Sequence, residues 1–276
     1  MRKLLRVIIA ANHIHGRECD SRAGIYIFRM YVIMPPMPYK IKHDFSTIIF
    51  DMDGVITNTM PYHFDAWLEI FSRIGIKVNC FDVYKREGQD GLTSVKEILR
   101  ERKLKCTDAQ AKDILSRKER LFKHIVKIKF VKGSRPFIRM LKKRRFLLGL
   151  VTGTSRQEMN KILPLSLRSL FDAIVTGDDS IKGKPHPEPF LRALKILGIR
   201  PQEALVVENA PFGIEAAKRA GLFCAALETS LPRKYLVGAD AVFKSFVALK
   251  SAIDFRLNQI KLRGIMIPAQ EAARNG

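Results

Sequence analysis

Short apolar runs alternate with amphipathic stretches along this chain. The first run, Ser46-Thr-Ile-Ile-Phe50, stops at Asp51-Met-Asp53-Gly54, and an apolar run bounded by a turn predicts a buried parallel strand. From 61 to 131 the spacing turns helical and no strand pattern stands out. Phe64, Trp67, Leu68 and Phe71 are predicted to share one face; Val95, Ile98 and Leu99 form a second run, and Ile114, Leu115, Leu121, Phe122 and Ile125 a third. Beyond Gly133 helices are predicted at 135–145, 157–163, 189–197 and 213–220. Strands are predicted at 146–151, 173–176, 204–207 and 223–227. This alternation predicts an α/β fold: a doubly wound, Rossmann-like parallel sheet with helices on both faces, carrying an inserted small helical cap. The predicted division is a core of 41–60 and 132–254 with the cap at 61–131.

The two ends read differently. Residues 1–36 have no helical or strand period and run into Met34-Pro-Pro-Met-Pro38, so 1–40 is expected to be a disordered leader or a mis-called start, with translation then beginning at Met34 or Met37. Residues 255–276 are expected to form a C-terminal extension.

Composition narrows the classes. At 276 residues, one or two domains are expected, and 47% hydrophobic residues suffice for a core. No apolar run approaches the roughly 18 residues of a membrane helix, so no membrane partner is expected. The four cysteines, Cys19, Cys80, Cys106 and Cys224, are far apart, with no CxxC pair. That speaks against a zinc site and a disulfide framework, and for a cytoplasmic location. The net charge is +22, and between Lys96 and Arg145 there are 19 Lys/Arg against 5 Asp/Glu. Such a surplus suits a solvated basic face, the steering of a small phosphorylated substrate, or a polyanion; nucleic acid is not an expected partner.

In a parallel sheet the ligand site lies beyond the carboxyl ends of the strands. Four polar clusters are predicted there. Asp51 and Asp53, one residue apart on a turn, can supply a nucleophile and a proton carrier, or bind a cation; a plain turn is the alternative. Thr152-Gly153-Thr154 offers hydroxyls and amides to a phosphate, or simply caps a helix. In Gly177-Asp-Asp-Ser-Ile-Lys-Gly183-Lys184-Pro185 the glycine spacing and Pro185 exclude a Walker loop, which leaves Lys184 as a counter-charge at the sheet's mouth. Glu208-Asn209 suits a hard cation such as magnesium, or a capped turn.

The ordered set Asp51-Met-Asp53-Gly54-Val-Ile-Thr-Asn-Thr59, Thr152, Lys184-Pro-His-Pro-Glu188 and Glu208-Asn209 resembles the haloacid dehalogenase superfamily of phosphotransferases. The helical insert resembles the cap of the subgroup containing beta-phosphoglucomutase and phosphoglycolate phosphatase. The resemblance implies magnesium-dependent hydrolysis of a small phosphorylated metabolite through an aspartyl-phosphate. Asp51 would be the nucleophile, Asp53 the general acid and base, Thr152 the phosphoryl anchor and Lys184 the charge balance. Magnesium would be held by Asp51, the Asp53 carbonyl and Asn209, with Glu208 nearby. Many relatives have Asp where this chain has Asn209. The second aspartate, Asp53, argues against dehalogenation.

Substrate choice would lie in the cap. His63 and Trp67 share a helix face, and Tyr62-His63 with Trp67 is similar to the mutase pattern; Trp67 packing between cap and core is the alternative. In Arg86-Glu-Gly88-Gln-Asp-Gly91-Leu the nearest match to the mutase's phosphate-gripping arginine is Gly91, leaving Arg86 or Lys118 as substitutes. A phosphatase is therefore expected, with a phosphohexomutase as the alternative and a non-catalytic polyanion-binding protein as a third reading.

Overall fold

A computed structural model of the chain describes residue 41 and residues 45–253. The expectations for the leader and for the C-terminal extension lie outside the described residues.

Six strands form one parallel sheet: β1 (Thr47–Phe50), β2 (Leu147–Val151), β3 (Ala173–Val175), β4 (Ala204–Glu208), β5 (Phe223–Leu227) and β6 (Ala241–Phe243), in the order β3-β2-β1-β4-β5-β6. Central strands with helices on both faces must be apolar throughout, and β1 and β4 are buried at every position. Thr47 of β1 sits opposite Leu147 on one side and Ala204 on the other, so β1, β2 and β4 end level with one another.

On one face of the sheet α5 (Ser134–Lys143), α6 (Arg156–Ile162) and α10 (Phe246–Ala252) cover Ile48, Phe50, Leu148 and Leu150. On the other, α8 (Glu188–Leu197) and α9 (Pro211–Arg219) cover Ile49, Val151 and Val206. A short α7 (Leu165–Arg168) completes the connection into β3. The sheet order reverses between β1 and β4, the position at which such sheets bind ligands. The expected doubly wound parallel sheet is therefore present. β6, with three residues, and α10, with seven, are additions to the predicted elements.

Four helices leave the sheet after β1: α1 (Met60–Ser72), α2 (Cys80–Tyr84), α3 (Gly91–Glu101) and α4 (Asp108–Ile125). They enclose their own apolar cluster, including Phe71, Val83, Val95, Ile98, Leu99 and Ile114. Leu68, predicted on the buried face of α1, is 38% exposed, because the helix buries Ala66, Trp67, Ile70 and Phe71 and turns Leu68 away. The chain leaves and re-enters side by side: Asn58 N–H donates to Lys129 O at 2.8 Å and Val131 N–H to Ile56 O at 3.0 Å. Thr57 and Phe130 also pair as a bridge.

No helix of the described residues is long and apolar enough to cross a membrane. Cys106 and Cys224 are free thiols. The basic surplus is distributed rather than pooled. Lys96 pairs with Asp108, Arg117 with Asp113, Lys123 with Glu158, and Lys142 with Asp172 beside the amino end of β2, remote from the strands' carboxyl ends.

Candidate active site

Asp51 directly follows β1 and its amide donates to Val207 O at 3.1 Å, which extends the ladder one step and fixes the carboxyl at the end of the sheet. Lys184 Nζ donates to Asp51 Oδ1 at 2.6 Å, to Glu208 Oε1 at 2.7 Å and to Val151 O at 3.2 Å. Three strand ends are thus joined by one buried ammonium. Glu208 is fully committed, since its Oε2 accepts from the amides of Asn209 at 2.9 Å and Ala210 at 3.4 Å. Burial pushes Asp51 up to about 8 despite Lys184, with the charges of Glu208 and Asp53 adding to the rise. Burial works against the Lys184 ammonium, but Asp51 and Glu208 outweigh it and hold the proton on.

Two acceptors in this cluster have no hydrogen-bond partner among the described residues: Asp51 Oδ2 and Asn209 Oδ1, both buried. The Asn209 amide nitrogen is taken by Ser230 Oγ at 2.8 Å, which leaves its oxygen free. Buried polar atoms are normally satisfied, and two oxygen acceptors left over in one cluster fit a hard cation that uses few protein ligands. Among the described residues no three His, Cys, Asp or Glu side chains form a metal-binding group. The donor set here holds one free carboxylate oxygen and one free amide oxygen, with Glu208 spent on Lys184. Gly54 makes this packing feasible: its φ is +86°, and a Cβ would lie 2.1 Å from Asn209 Nδ2.

Gly213 serves Glu208 in the same way. A Cβ there would fall 2.0 Å from Glu208 Oε1 and 2.1 Å from Cδ. Gly213→Ala is expected to cost about 1–3 kcal/mol of stability through overpacking. It should also lower turnover more than substrate affinity, because Glu208 positions Lys184. A denaturant titration together with kinetics checks this; wild-type stability would show that Glu208 has room to move.

Asp53 sits in a cage of hydroxyls. Thr59 and Thr57 donate to Oδ1, the latter at 3.4 Å, and Thr154 donates to Oδ2 at 3.0 Å. Burial alone would raise Asp53; the attraction of His63, followed by the hydroxyl bonds of Thr59 and Thr154, outweighs it and holds the carboxyl below its usual range. Thr154 was expected to bind phosphate, yet its hydroxyl is engaged by Asp53. Thr152 is buried and accepts from the Thr154 amide at 3.1 Å, which leaves its own hydroxyl proton available. Ser155 caps α6, accepting from the Glu158 amide at 3.3 Å.

The inserted helices close on this cluster. Arg86 and Gly88 belong to the turn between α2 and α3. Gly88 has φ +74°, and a Cβ there would lie 2.4 Å from Lys184 Cδ; a Cβ on Gly153 would lie 2.8 Å from the Gly88 backbone. Two residues without side chains let the turn rest on the site, which gives Gly153 a packing role beside any contact with phosphate. Lys85 O accepts from the Phe212 amide at 3.1 Å, and the Phe81 and Tyr235 rings pack at 4.4 Å.

His63 Nε2 lies 3.7 Å from Asp53 Oδ1, and Lys118 Nζ lies 3.1 Å from His63 Nδ1. An ammonium has only donors, so Nδ1 accepts and the ring proton resides on Nε2, facing Asp53. Burial, then the Lys118 charge, holds His63 below its usual value, which favours the neutral ring. Phe122 stacks on that ring at 4.0 Å.

Lys118, offered from sequence as a substrate contact, is buried under the insert, 5.2 Å over Trp67 and 5.0 Å over Phe122. Trp67 stacks on Phe71 at 5.2 Å inside the insert's own core, so its link to the site runs through Lys118. Arg86 faces away: it donates to Asp82 O at 2.6 Å and to Glu101 at 2.5 Å. Gly91 has Leu115 in its side-chain space, with a Cβ falling 2.6 Å from Cδ1.

A hydroxyl cage, a shared lysine and unpaired metal-type oxygens at one switch point match a known family. Residues 45–221 match the model of the haloacid dehalogenase-like hydrolases. The chain belongs to that family. It is 32% identical over 208 residues to beta-phosphoglucomutase of Bacillus subtilis, covering 72% of this chain and 89% of that protein. It is 32% identical over 182 residues to the phosphorylated carbohydrates phosphatase of Thermotoga maritima, covering 64% and 82%. Among solved structures, beta-phosphoglucomutase of Clostridium difficile superposes with a TM-score of 0.65 at 25% identity, covering 79% and 100%.

Several further residues belong to the site. Thr57 and Thr59 were quoted in the motif, and their hydroxyls hold Asp53. Ser230 and Thr229, which donates to Gly54 O at 2.6 Å, follow β5 and form a fifth strand-end cluster that the same rule would have found. Glu87, half-buried in the turn over the site, had no sequence signal at all.

Proposed function

We propose that this protein hydrolyses phosphate monoesters of small metabolites by way of an aspartyl-phosphate on Asp51. The observation that carries the reading is the buried Lys184 bridging Asp51 and Glu208 while Asp51 Oδ2 remains without a partner. A lone pair on that oxygen attacks phosphorus and the ester P–O bond breaks. The Thr152 hydroxyl and the amides of the strand-end loop face the phosphoryl oxygens. The departing alkoxide takes a proton from Asp53, delivered along the Lys118–His63 line. Asp53 then accepts a proton from water, whose oxygen attacks phosphorus, and the Asp51–phosphorus bond breaks. Held below its usual range, Asp53 is ionised, as that second, basic role requires.

Asp51 Oδ2 and Asn209 Oδ1 would hold magnesium together with the Asp53 main-chain carbonyl; when bound, the ion supplies positive charge against the phosphoryl oxygens. Activity is expected to vanish with EDTA and return with magnesium. Asn209→Asp adds a full charge at a ligand position and should lower the magnesium midpoint about tenfold. An unmoved midpoint, read by metal-dependent thermal shift as well as by turnover, would remove Asn209 from the ligand set.

The inserted helices, residues 61–131, act as a cap over a core of 41–60 and 132–254. The paired linkers at Asn58–Lys129 and Ile56–Val131 supply a hinge. A phosphatase is favoured over a phosphohexomutase because the position nearest the mutase arginine is Gly91, packed against Leu115, and Arg86 is tied to Asp82 and Glu101. Phosphate release from a panel of sugar phosphates, with and without a bisphosphate activator, tests this. Free phosphate without an activator supports the phosphatase; isomerised sugar phosphate only with the activator would establish the mutase.

A further inference from the structure

The insert carries a second concave surface, and none of its lining residues belongs to the cluster around Asp51. Helical spacing builds it. Ile70 and Arg73 lie three apart at the end of α1, and Arg117, Arg120 and Leu121 lie three and four apart on α4, so each set shares one helix face. α1 and α4 pack together, and the five residues line an open groove of about 180 Å³. Ile70 is buried and Leu121 half-buried, which gives the groove an apolar floor. The three arginines are exposed and form its rim. Two of them are partly occupied along their own helices: Arg73 Nε donates to Glu69 Oε1 at 2.9 Å, and Arg117 Nη2 pairs with Asp113 Oδ2 at 2.8 Å. Arg120 makes no hydrogen bond or ion pair among the described residues.

We infer that this groove binds a small monocarboxylate carrying an apolar body of about benzene's size. A guanidinium is a planar fork that holds a carboxylate by two parallel hydrogen bonds, and the Arg120 fork is free. Three guanidiniums against the carboxylates of Glu69 and Asp113 leave one positive charge at the rim, which balances a monoanion and not a phosphate dianion. A cavity of about 150 Å³ lined by aliphatic side chains takes up benzene, so the floor of Ile70 and Leu121 has room for a ring or a branched chain. A bare inorganic anion would leave that floor uncovered, and a neutral ring would leave the rim unused. The ligand spans both helices, so it ties α1 to α4 and stabilises the folded chain by mass action.

Benzoate is the probe, titrated calorimetrically into the full chain as wild type, Arg120→Gln, Arg120→Lys and Arg139→Gln. Wild type is expected to bind one benzoate with a Kd on the order of 1 mM, the scale open to so few atoms. Arg120→Gln should weaken binding at least about tenfold, as a lost charge-assisted hydrogen bond does. Arg120→Lys should weaken it as well, because lysine keeps the charge and loses the fork. Arg139→Gln removes the same charge from the exposed face of α5 and should leave Kd within about twofold of wild type. Acetate and benzyl alcohol, which carry the carboxylate and the ring separately, should each bind at least about tenfold more weakly than benzoate. Arg120 is exposed and glutamine is a comparable helix former, so the variant is expected to melt with wild type in the absence of benzoate; should it fail to fold, Arg120→Lys carries the test. No saturable binding by wild type would overturn the site, and so would equal affinity in the Arg120 variants. Acetate binding as tightly as benzoate would overturn it too, since the apolar floor would then contribute nothing.

Discussion

Replacing Asp51 by Asn is expected to lower kcat on the order of 10⁴-fold or more, the scale seen when a covalent nucleophile is removed, while leaving the fold in place. The amide is nearly isosteric but its nitrogen has no lone pair free to attack phosphorus. Lys184 keeps Glu208 Oε1 and Val151 O as acceptors, so the ammonium stays buried and paired. The substitution also removes a carboxyl that burial already disfavours, pushed up to about 8. Melting temperature should therefore hold within a few degrees. Phosphate release and a denaturation curve on the same preparation check both halves. In wild type, a phosphate donor that reacts faster than water should leave a phosphoryl adduct on the peptide containing Asp51. A folded Asp51→Asn protein with wild-type turnover would end the covalent scheme.

The strand-end residues were legible because their positions follow from one-dimensional patterns. Apolar runs as short as Thr47–Phe50 and Ala204–Glu208, separated by helical periods, dictate a parallel sheet. The chain's own punctuation then marks where Asp51, Thr152 and Glu208 emerge. Lys184 follows no strand directly, and its reach depends on the loop after β3, yet the run ending in Pro185 still marked it. What local pattern cannot show is contact across the chain. The Thr154 hydroxyl donates to Asp53, 101 positions away. Arg86 and Glu87 are adjacent; Arg86 fastens the insert through Asp82 and Glu101, whereas burial, with the charges of Asp53 and Asp51, pushes the Glu87 carboxyl well up, a split set by the fold of the turn and by no local pattern. Trp67 lies in the insert's core, stacked on Phe71, a placement its helical spacing left open. β6 was missed because Ala241–Phe243 has three residues, too few for a period, and α10 with seven is little better.

Lys184→Met is expected to damage stability and catalysis together, unlike the change at Asp51. Lys184 is 1% exposed and its three hydrogen bonds hold two carboxylates from different strands. Methionine fills much of the volume but leaves Asp51 and Glu208 buried without their counter-charge. Breaking a buried pair in this way costs about 3–5 kcal/mol, a large part of the roughly 5–15 kcal/mol that holds an ordinary domain together. The melting temperature should fall by about 10 °C. The deficit should also depend on pH. Asp51 already has a folded-state value above its unfolded one of 3.8, at about 8, and removing Lys184 raises it further. The folded variant then binds protons that the unfolded chain has released, so its stability falls as pH rises above about 4. In EDTA, the gap between variant and wild type should be smaller at pH 6 than at pH 9.5, because wild-type Asp51 releases its proton near 8 while the variant holds its proton beyond that. A gap equal at both would assign the loss to packing of the lysine stem. Adding Asp51→Asn to Lys184→Met should recover part of the stability, since one of the two stranded carboxyls is gone. Simple additivity of the two changes would mean that the pair does not interact.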